Sequence, residues 1–207
     1  MTLDDALQDC PVVAILRGVR PDEALAHGEA LAAAGVRAVE TPLNSPQPLD
    51  SIRALAEAFR GRMAVGGGTV LRADAADAVA DAGGAFVVAP NTSPEMIRRA
   101  LARGLDAAPG FATATEAFAA LEAGARHLKL FPAATYGPAH LRQLKAVLPP
   151  QAVVWAVGGI GPEDLQPWWT AGARAFGLGG EIYRAGQSVA DTAEKAARAV
   201  AAARRLT

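Results

Sequence analysis

The stretch "AVVWAVGGIGPEDLQPWWTAGARAFGLGG" covers residues 152–180. Two short β-like runs, "AVVWAV" and "RAFGL", each end in a glycine pair, Gly158–Gly159 and Gly179–Gly180. A Pro-led helical stretch lies between them. In a parallel α/β barrel the loops after the last two strands often bind phosphate through backbone N–H groups and a helix N-terminus. Glycine pairs at both loops do this without a basic side chain. An open doubly wound sheet normally carries its main phosphate loop after the first strand. The exit of the first β-like run here, "LRGVRP" (16–21), has no GxGxxG. The two late glycine pairs therefore favour a barrel.

Six further β-like runs precede this stretch: "PVVAILRG", "RAVETPL", "RMAVGGGTV", "AFVVAPN", "LDAAPG" and "RHLKLFP". With the two already quoted, eight strands are predicted. Each is followed by a helix-like segment, at 21–34, 49–59, 73–82, 94–103, 114–123, 138–147, 162–171 and 188–205. Helix starts carry early prolines with acidic or polar neighbours, as in "RPDEAL", "TSPEMI" and "GPEDLQ". "SVAD", from Ser188, resembles a capping box. Helix ends fall at Gly35, Gly83, Gly104, Gly124 and Gly172, the usual left-handed terminal position. Eight βα units in 207 residues, roughly 25 residues each, leave room for one (β/α)8 TIM barrel with short loops. No linker, low-complexity segment or charge block interrupts the chain, so residues 1–207 read as a single domain.

The chain is 51% hydrophobic, enough for one sizeable core, and its 20 basic and 21 acidic residues nearly cancel. That balance favours neither a nucleic acid nor an anionic membrane as partner. Cys10 is the one cysteine, so an intrachain disulfide is impossible and a cysteine-built zinc site is excluded. Neither HxH nor HExxH spacing occurs, and no metal is expected. The N-terminus "MTLDDALQDC" is acidic and amphipathic and has no basic-then-apolar leader. A cytoplasmic protein is the expectation. Trp168 and Trp169 read as packing or interface residues.

Active-site groups of barrels sit at the C-terminal ends of strands, where side chains alternate between the axis and the helices. In "RHLKLFP", Leu128 and Leu130 suit the helix layer, so His127, Lys129 and Phe131 face the axis. In "RAVETPL", Glu40 faces inward with Ala38. Arg17 closes the first strand on the face of Val13 and Ile15. Three charged groups thus converge on one apolar mouth. An ordinary lysine, with pKa ~10.4, is neutral in about one molecule in a few thousand at pH 7. Burial lowers that pKa, and a neutral amine attacks a carbonyl to form a Schiff base. Glu40 could then transfer the protons. The same spacing fits a buried Lys129–Glu40 ion pair that only holds the barrel together. Arg17 offers a planar fork for a carboxylate or phosphate, or pairs with a surface acid. "GGGTV" (66–70) either admits a ligand to the backbone, with Thr69 adding a hydroxyl, or forms a tight turn.

Taken together, "AILRGVRPDEALAH", "VETPLNSPQ", "GGGTVL", "APNTSPEMIRRA", "PGFATATEAFAALEAGA", "LKLFPA", "LKAVLP", "AVGGIGPEDL" and "YRAGQSV" resemble the bacterial class I aldolases that cleave 2-keto-3-deoxy-6-phospho sugar acids. The resemblance covers nearly the whole chain. It implies a (β/α)8 barrel, a homotrimer, and no metal or cofactor. It implies small-molecule partners, pyruvate and a keto-deoxy sugar-acid phosphate. Lys129 matches the Schiff-base lysine and Glu40 the general acid/base. Arg17 and Thr69, with the backbone around Gly68, match positions that hold the pyruvate carboxylate. Pro90 and Phe131 match pocket-lining residues, and Gly158, Gly159, Gly179 and Gly180 match the phosphate loops. Asn44 and Val157 resemble the branch acting on the phosphogalactonate compound; relatives acting on the phosphogluconate epimer typically carry Arg and Thr there, and the alternative within the family is that epimer or 4-hydroxy-2-oxoglutarate as main substrate. Val157 would then lie beside the C4 hydroxyl. The family usually has Ser where this chain has Gly180 followed by Glu181, so one phosphate hydroxyl contact is missing. Two other readings are an epimerase or isomerase on the same barrel and a non-catalytic sugar-phosphate-binding barrel.

Overall fold

The computed structural model describes residues 1–206. Nine short strands run parallel in a nearly closed barrel: β1 Val12–Ile15, β2 Ala38–Pro42, β3 Ala64–Gly68, β4 Phe86–Val88, β5 Asp106–Ala108, β6 Gly110–Phe111, β7 His127–Leu130, β8 Val153–Val157 and β9 Ala175–Leu178. Their order is β5-β4-β3-β2-β1-β9-β8-β7-β6. The expected count was eight. The fifth run is broken at Pro109, which lacks the N–H that a continuous ladder needs. Its first piece pairs with β4 and its second with β7. The Pro109 carbonyl accepts from the Lys129 amide at 2.8 Å, which ties the break to the next strand.

Helices α2 Pro21–Ala34, α3 Pro48–Ala58, α4 Ala73–Asp81, α5 Pro94–Ala102, α6 Ala114–Glu122, α7 Ala133–Lys145, α8 Leu165–Thr170 and α9 Val189–Ala203 follow successive strands. Their ends obey the sequence punctuation. Pro21 and Pro94 occupy first turns, and Ser188 caps α9 with Asp191 completing the box. Gly35, Gly83, Gly104, Gly124 and Gly172 all have positive φ. The helix expected over 138–147 begins at Ala133 and kinks at Gly137, one residue before Pro138. That is where a proline forbids a continuous ladder.

The core has two layers. Outward residues such as Val39, Val65, Leu128 and Leu130 pack under the helices. Inward residues Val13, Ile15, Ala38, Ala64, Phe86, Val88, Trp155 and Val157 fill the barrel. The alternation read from the sequence is thus realised in β1, β2 and β7. One element was not foreseen as a helix: the N-terminal amphipathic run is α1 Leu3–Asp9. Its Leu3, Ala6 and Leu7 join the inner core and close the end of the barrel away from Lys129. Asp4 fastens it, 2.6 Å from Arg126 and 3.3 Å from the buried His127. Cys10 follows α1 and is buried.

Candidate active site

Lys129 lies at the centre of β7 with 5% of its surface exposed. Its Nζ stands 4.7 Å from the centre of the Phe131 ring. Burial pulls its pKa below the ordinary lysine value; Glu40 opposes that shift and Arg17 reinforces it. Glu40, 3% exposed, faces it from β2, with β1, β9 and β8 lying between the two strands in the sheet order. Only closure of the sheet brings them to one axis. Burial raises the Glu40 pKa, while Lys129 and Arg17 oppose the rise. Glu40 Oε2 is buried and has no hydrogen-bond partner in the protein. No salt bridge within 4.0 Å joins Glu40 to Lys129 among the described residues. A pair acting purely as structural glue would be expected to close and satisfy its buried atoms. These two groups stay apart and desolvated, each within electrostatic reach of the other.

The glycines of "GGGTV" prove to have packing reasons. A Cβ on Gly66 would lie 2.6 Å from the Phe86 carbonyl oxygen, and one on Gly67 2.5 Å from Val79. A Cβ on Gly68 would collide with the Glu40 carboxylate. Gly68 is therefore the space in which that carboxylate sits. Thr69 has φ +56°, the left-handed region, which costs a β-branched residue about 1–3 kcal/mol. The chain is held there by Leu43 donating to the Gly68 carbonyl at 2.7 Å and Val70 donating to the Val88 carbonyl at 3.0 Å.

A cavity of about 740 Å³ opens at the strand C-termini. Arg17, Lys129, Phe131, Val157, Gly158, Gly159, Gly179 and Gly180 all line it. Glu40, Gly68, Thr69 and Pro90 do not, although Glu40 and Gly68 touch each other and Pro90 packs its backbone on Gly110. Arg17 was expected to close the first strand; it lies two residues beyond Ile15, in the turn, with an exposed side chain. Its Nη1 donates to Asn44 Oδ1 at 2.7 Å, so Asn44 anchors the guanidinium over the mouth. Ser45 adds a second tie between the two loops, accepting from the Gly18 amide at 2.9 Å.

Gly158 and Gly159 have φ of 100° and 71°, and a side chain on Gly158 would press on the Phe131 ring at 3.1 Å. The Gly159, Ile160 and Gly180 amides donate to no protein acceptor among the described residues. Unspent N–H groups at a helix approach suit an anion. Three acids line this end: Glu163 and Asp164, which sequence reasoning missed, and Glu181, which it noted only as the residue after Gly180. Asp164 is spent locally, accepting from the Gly161 amide at 2.7 Å. A second cavity of about 580 Å³, lined by Cys10, Arg37, Arg126, Trp169, Arg174 and Arg204 among others, opens at the other end of the barrel. It contains none of the chemistry-bearing residues singled out above. The first cavity combines a desolvated amine, a guanidinium fork and free amides, and the desolvated Glu40 carboxyl, seated against Gly68, lies within electrostatic reach of the amine. That set can form an imine with a keto acid, move protons beside it and hold a second anionic group.

A family model described as KDPG and KHG aldolase matches residues 3–197. The 2-dehydro-3-deoxy-6-phosphogalactonate aldolase of Escherichia coli K12 is 53% identical over 94% of this chain and 95% of its own length. A probable enzyme of the same name from Rhizobium meliloti is 41% identical over 93% of this chain and 91% of its own length. A solved structure described as native KDPGal superposes with a TM-score of 0.92 and 52% identity, covering 94% of each chain. The chain belongs to the KDPG and KHG aldolase family, and it is an aldehyde-lyase.

Proposed function

We propose that this chain reversibly cleaves 2-dehydro-3-deoxy-6-phosphogalactonate to pyruvate and D-glyceraldehyde 3-phosphate through a Schiff base on Lys129. The carrying observation is a pair of buried groups that form no salt bridge, Lys129 lining the cavity and Glu40 seated against Gly68, in a chain 53% identical to an aldolase of that name. We read the barrel as a (β/α)8 domain over residues 1–207, with β5 and β6 counted as one strand, and its assembly as the homotrimer that the family resemblance implies. Lys129 Nζ attacks the C2 ketone and water leaves. The protonated imine draws the electrons of the C3–C4 bond as Glu40 removes the C4 hydroxyl proton. The aldehyde departs, the enamine is protonated at C3 with the help of Glu40, and water releases pyruvate. Arg17, with the Thr69 region, holds the C1 carboxylate. The amides of the two glycine loops hold the phosphate.

Val157 is 4% exposed and lines the cavity, where it offers the C4 region no hydrogen bond. Specificity constants on the two C4 epimers test the assignment; a strong preference for the gluconate compound would sink it. Val157→Thr should move the epimer ratio toward the gluconate compound by about tenfold, the scale of one hydrogen bond to a substrate hydroxyl.

Arg17→Lys should raise the KM for pyruvate in the condensation direction about tenfold, with a much smaller change in kcat. A lysine cannot both keep the Asn44 contact and present a two-pronged face to a carboxylate. Equal losses in kcat and kcat/KM would instead assign Arg17 to the chemical step.

A further inference from the structure

The cavity of about 580 Å³ at the opposite end of the barrel falls in the size range of small-ligand sites. Pro11, Arg37, Arg126 and Arg174, each one residue before a strand, form its floor, and α1 and the end of α9 close its sides. The chain as a whole carries a charge of −1. This lining instead holds four arginines, Arg37, Arg126, Arg174 and Arg204, against two acids, Asp4 and Asp9. Two of the cations are spent: Arg37 holds Asp9 at 2.9 Å and Arg126 holds Asp4 at 2.6 Å. Arg174 lies over Trp169, 4.5 Å from the ring centre. Its Nη1 donates to the Trp169 and Ala173 carbonyls at 3.1 and 2.7 Å. Its Nε and Nη2 donate to no protein acceptor, and it meets no acid, among the described residues. Arg204 caps the end of α9, and its side chain makes neither a salt bridge nor a hydrogen bond among the described residues. Its Nη2 lies 3.4 Å from the point that a Cβ on Gly35 would occupy, so the guanidinium rests on the cavity wall. Burial raises the pKa of the Cys10 thiol in that wall, and the fields of Arg37 and Arg204 both oppose the rise.

Two guanidinium groups without a counter-ion repel each other, and an oxyanion between them takes charge-assisted contacts from both. A phosphate monoester carries nearly two negative charges at pH 7, which matches the two unspent cations. Beside them, the Asp4 and Asp9 carboxylates and the Gln8 amide accept hydrogen bonds from hydroxyls. Arg174 covers the ring of Trp169, the aromatic residue of this lining, which disfavours a nucleobase. We infer that this cavity is a second ligand site, one that takes the phosphate monoester of a small hydroxylated metabolite, with Arg174 and Arg204 gripping the phosphate. It shares no lining residue with the cavity that holds Lys129 and does not depend on the Schiff-base reading.

The test titrates isotope-labelled protein with glycerol 3-phosphate and follows its amide resonances by NMR. Amides of residues 173–175 and 203–205 report this cavity, and those of 158–161 and 179–181 report the glycine loops, so the two are read separately. In the wild type the first group should shift and saturate. Arg204→Gln should weaken that binding about tenfold, the scale of one charge-assisted contact, and Arg204→Glu about a hundredfold, because repulsion replaces the contact. Arg174→Lys keeps the charge and loses the fork, and should cost about tenfold. The glycine-loop shifts and retro-aldol kcat/KM should stay unchanged in all three variants, which shows them folded. Inorganic phosphate should bind about tenfold more weakly than the ester, since it lacks the hydroxyls that the acids accept. Three results would each overturn the inference: no saturable shift in the first group, binding to Arg204→Glu as tight as to the wild type, or inorganic phosphate binding as tightly as the ester.

Discussion

Lys129→Ala should lose about 10⁵-fold in retro-aldol turnover, the scale seen when a covalent nucleophile is removed from an otherwise intact site. Wild-type enzyme treated with pyruvate and borohydride should gain one adduct by intact mass, mapped to Lys129; the variant should gain none. An adduct elsewhere would refute the assignment. The geometry explains why the amine is ready. Burial disfavours the ammonium, so its pKa lies below that of an ordinary lysine. The trapping rate should therefore rise with pH through an apparent pKa below ~10.4, the unperturbed value. A limb at or above that value would show that the amine is not desolvated in solution. Removing the amine should not harm the fold. A group whose folded pKa is depressed by burial binds its proton less well in the folded state, so it costs stability as pH falls below the unfolded value. Lys129→Met, which keeps the volume, should therefore melt higher than wild type at pH 7 while being inactive, a trade between stability and activity.

Glu40→Gln should lower kcat by about 10³-fold, within the range for loss of a positioned acid/base. It should leave pyruvate trapping on Lys129 largely intact, since imine formation with free pyruvate breaks no carbon–carbon bond. Deuterium exchange at the pyruvate methyl, which needs enamine formation and reprotonation, should fall with kcat. If exchange survives in Glu40→Gln, another group moves that proton. The folded-state pKa of Glu40 is raised by burial, so the acidic limb of the wild-type pH profile should lie above ~4.3, the unperturbed glutamate value. Gly68→Ala offers a second route to the same residue. A methyl there occupies the position of the carboxylate, so the variant should copy the Glu40→Gln defect with Glu40 still present. Normal turnover in Gly68→Ala would show that the carboxylate need not sit against β3.

Much of this was legible before any coordinates. Strand alternation aimed Lys129 and Glu40 inward, and the inner core of Val13, Ala38 and Trp155 lies on those faces. Helix punctuation survived because caps and left-handed glycines are set by a few neighbouring residues. Three features were not legible. The break at Pro109 depended on which neighbours the fifth run would pair with. Helix α1 depended on the open barrel end that its Leu3, Ala6 and Leu7 fill. The acids at the far end of the cavity came from loops whose approach is a tertiary matter.

The sequence by itself determined which residue types occupy the strand ends and which way each points, because a period of two is local. Only the tertiary structure decided that Lys129 and Glu40 face each other without forming an ion pair. It also decided that Gly68 makes room for a carboxylate and that Asn44 holds Arg17. Each of these is a distance between groups far apart in the chain. Such distances are set by closure of the sheet and by packing between its layers, and no local rule carries them.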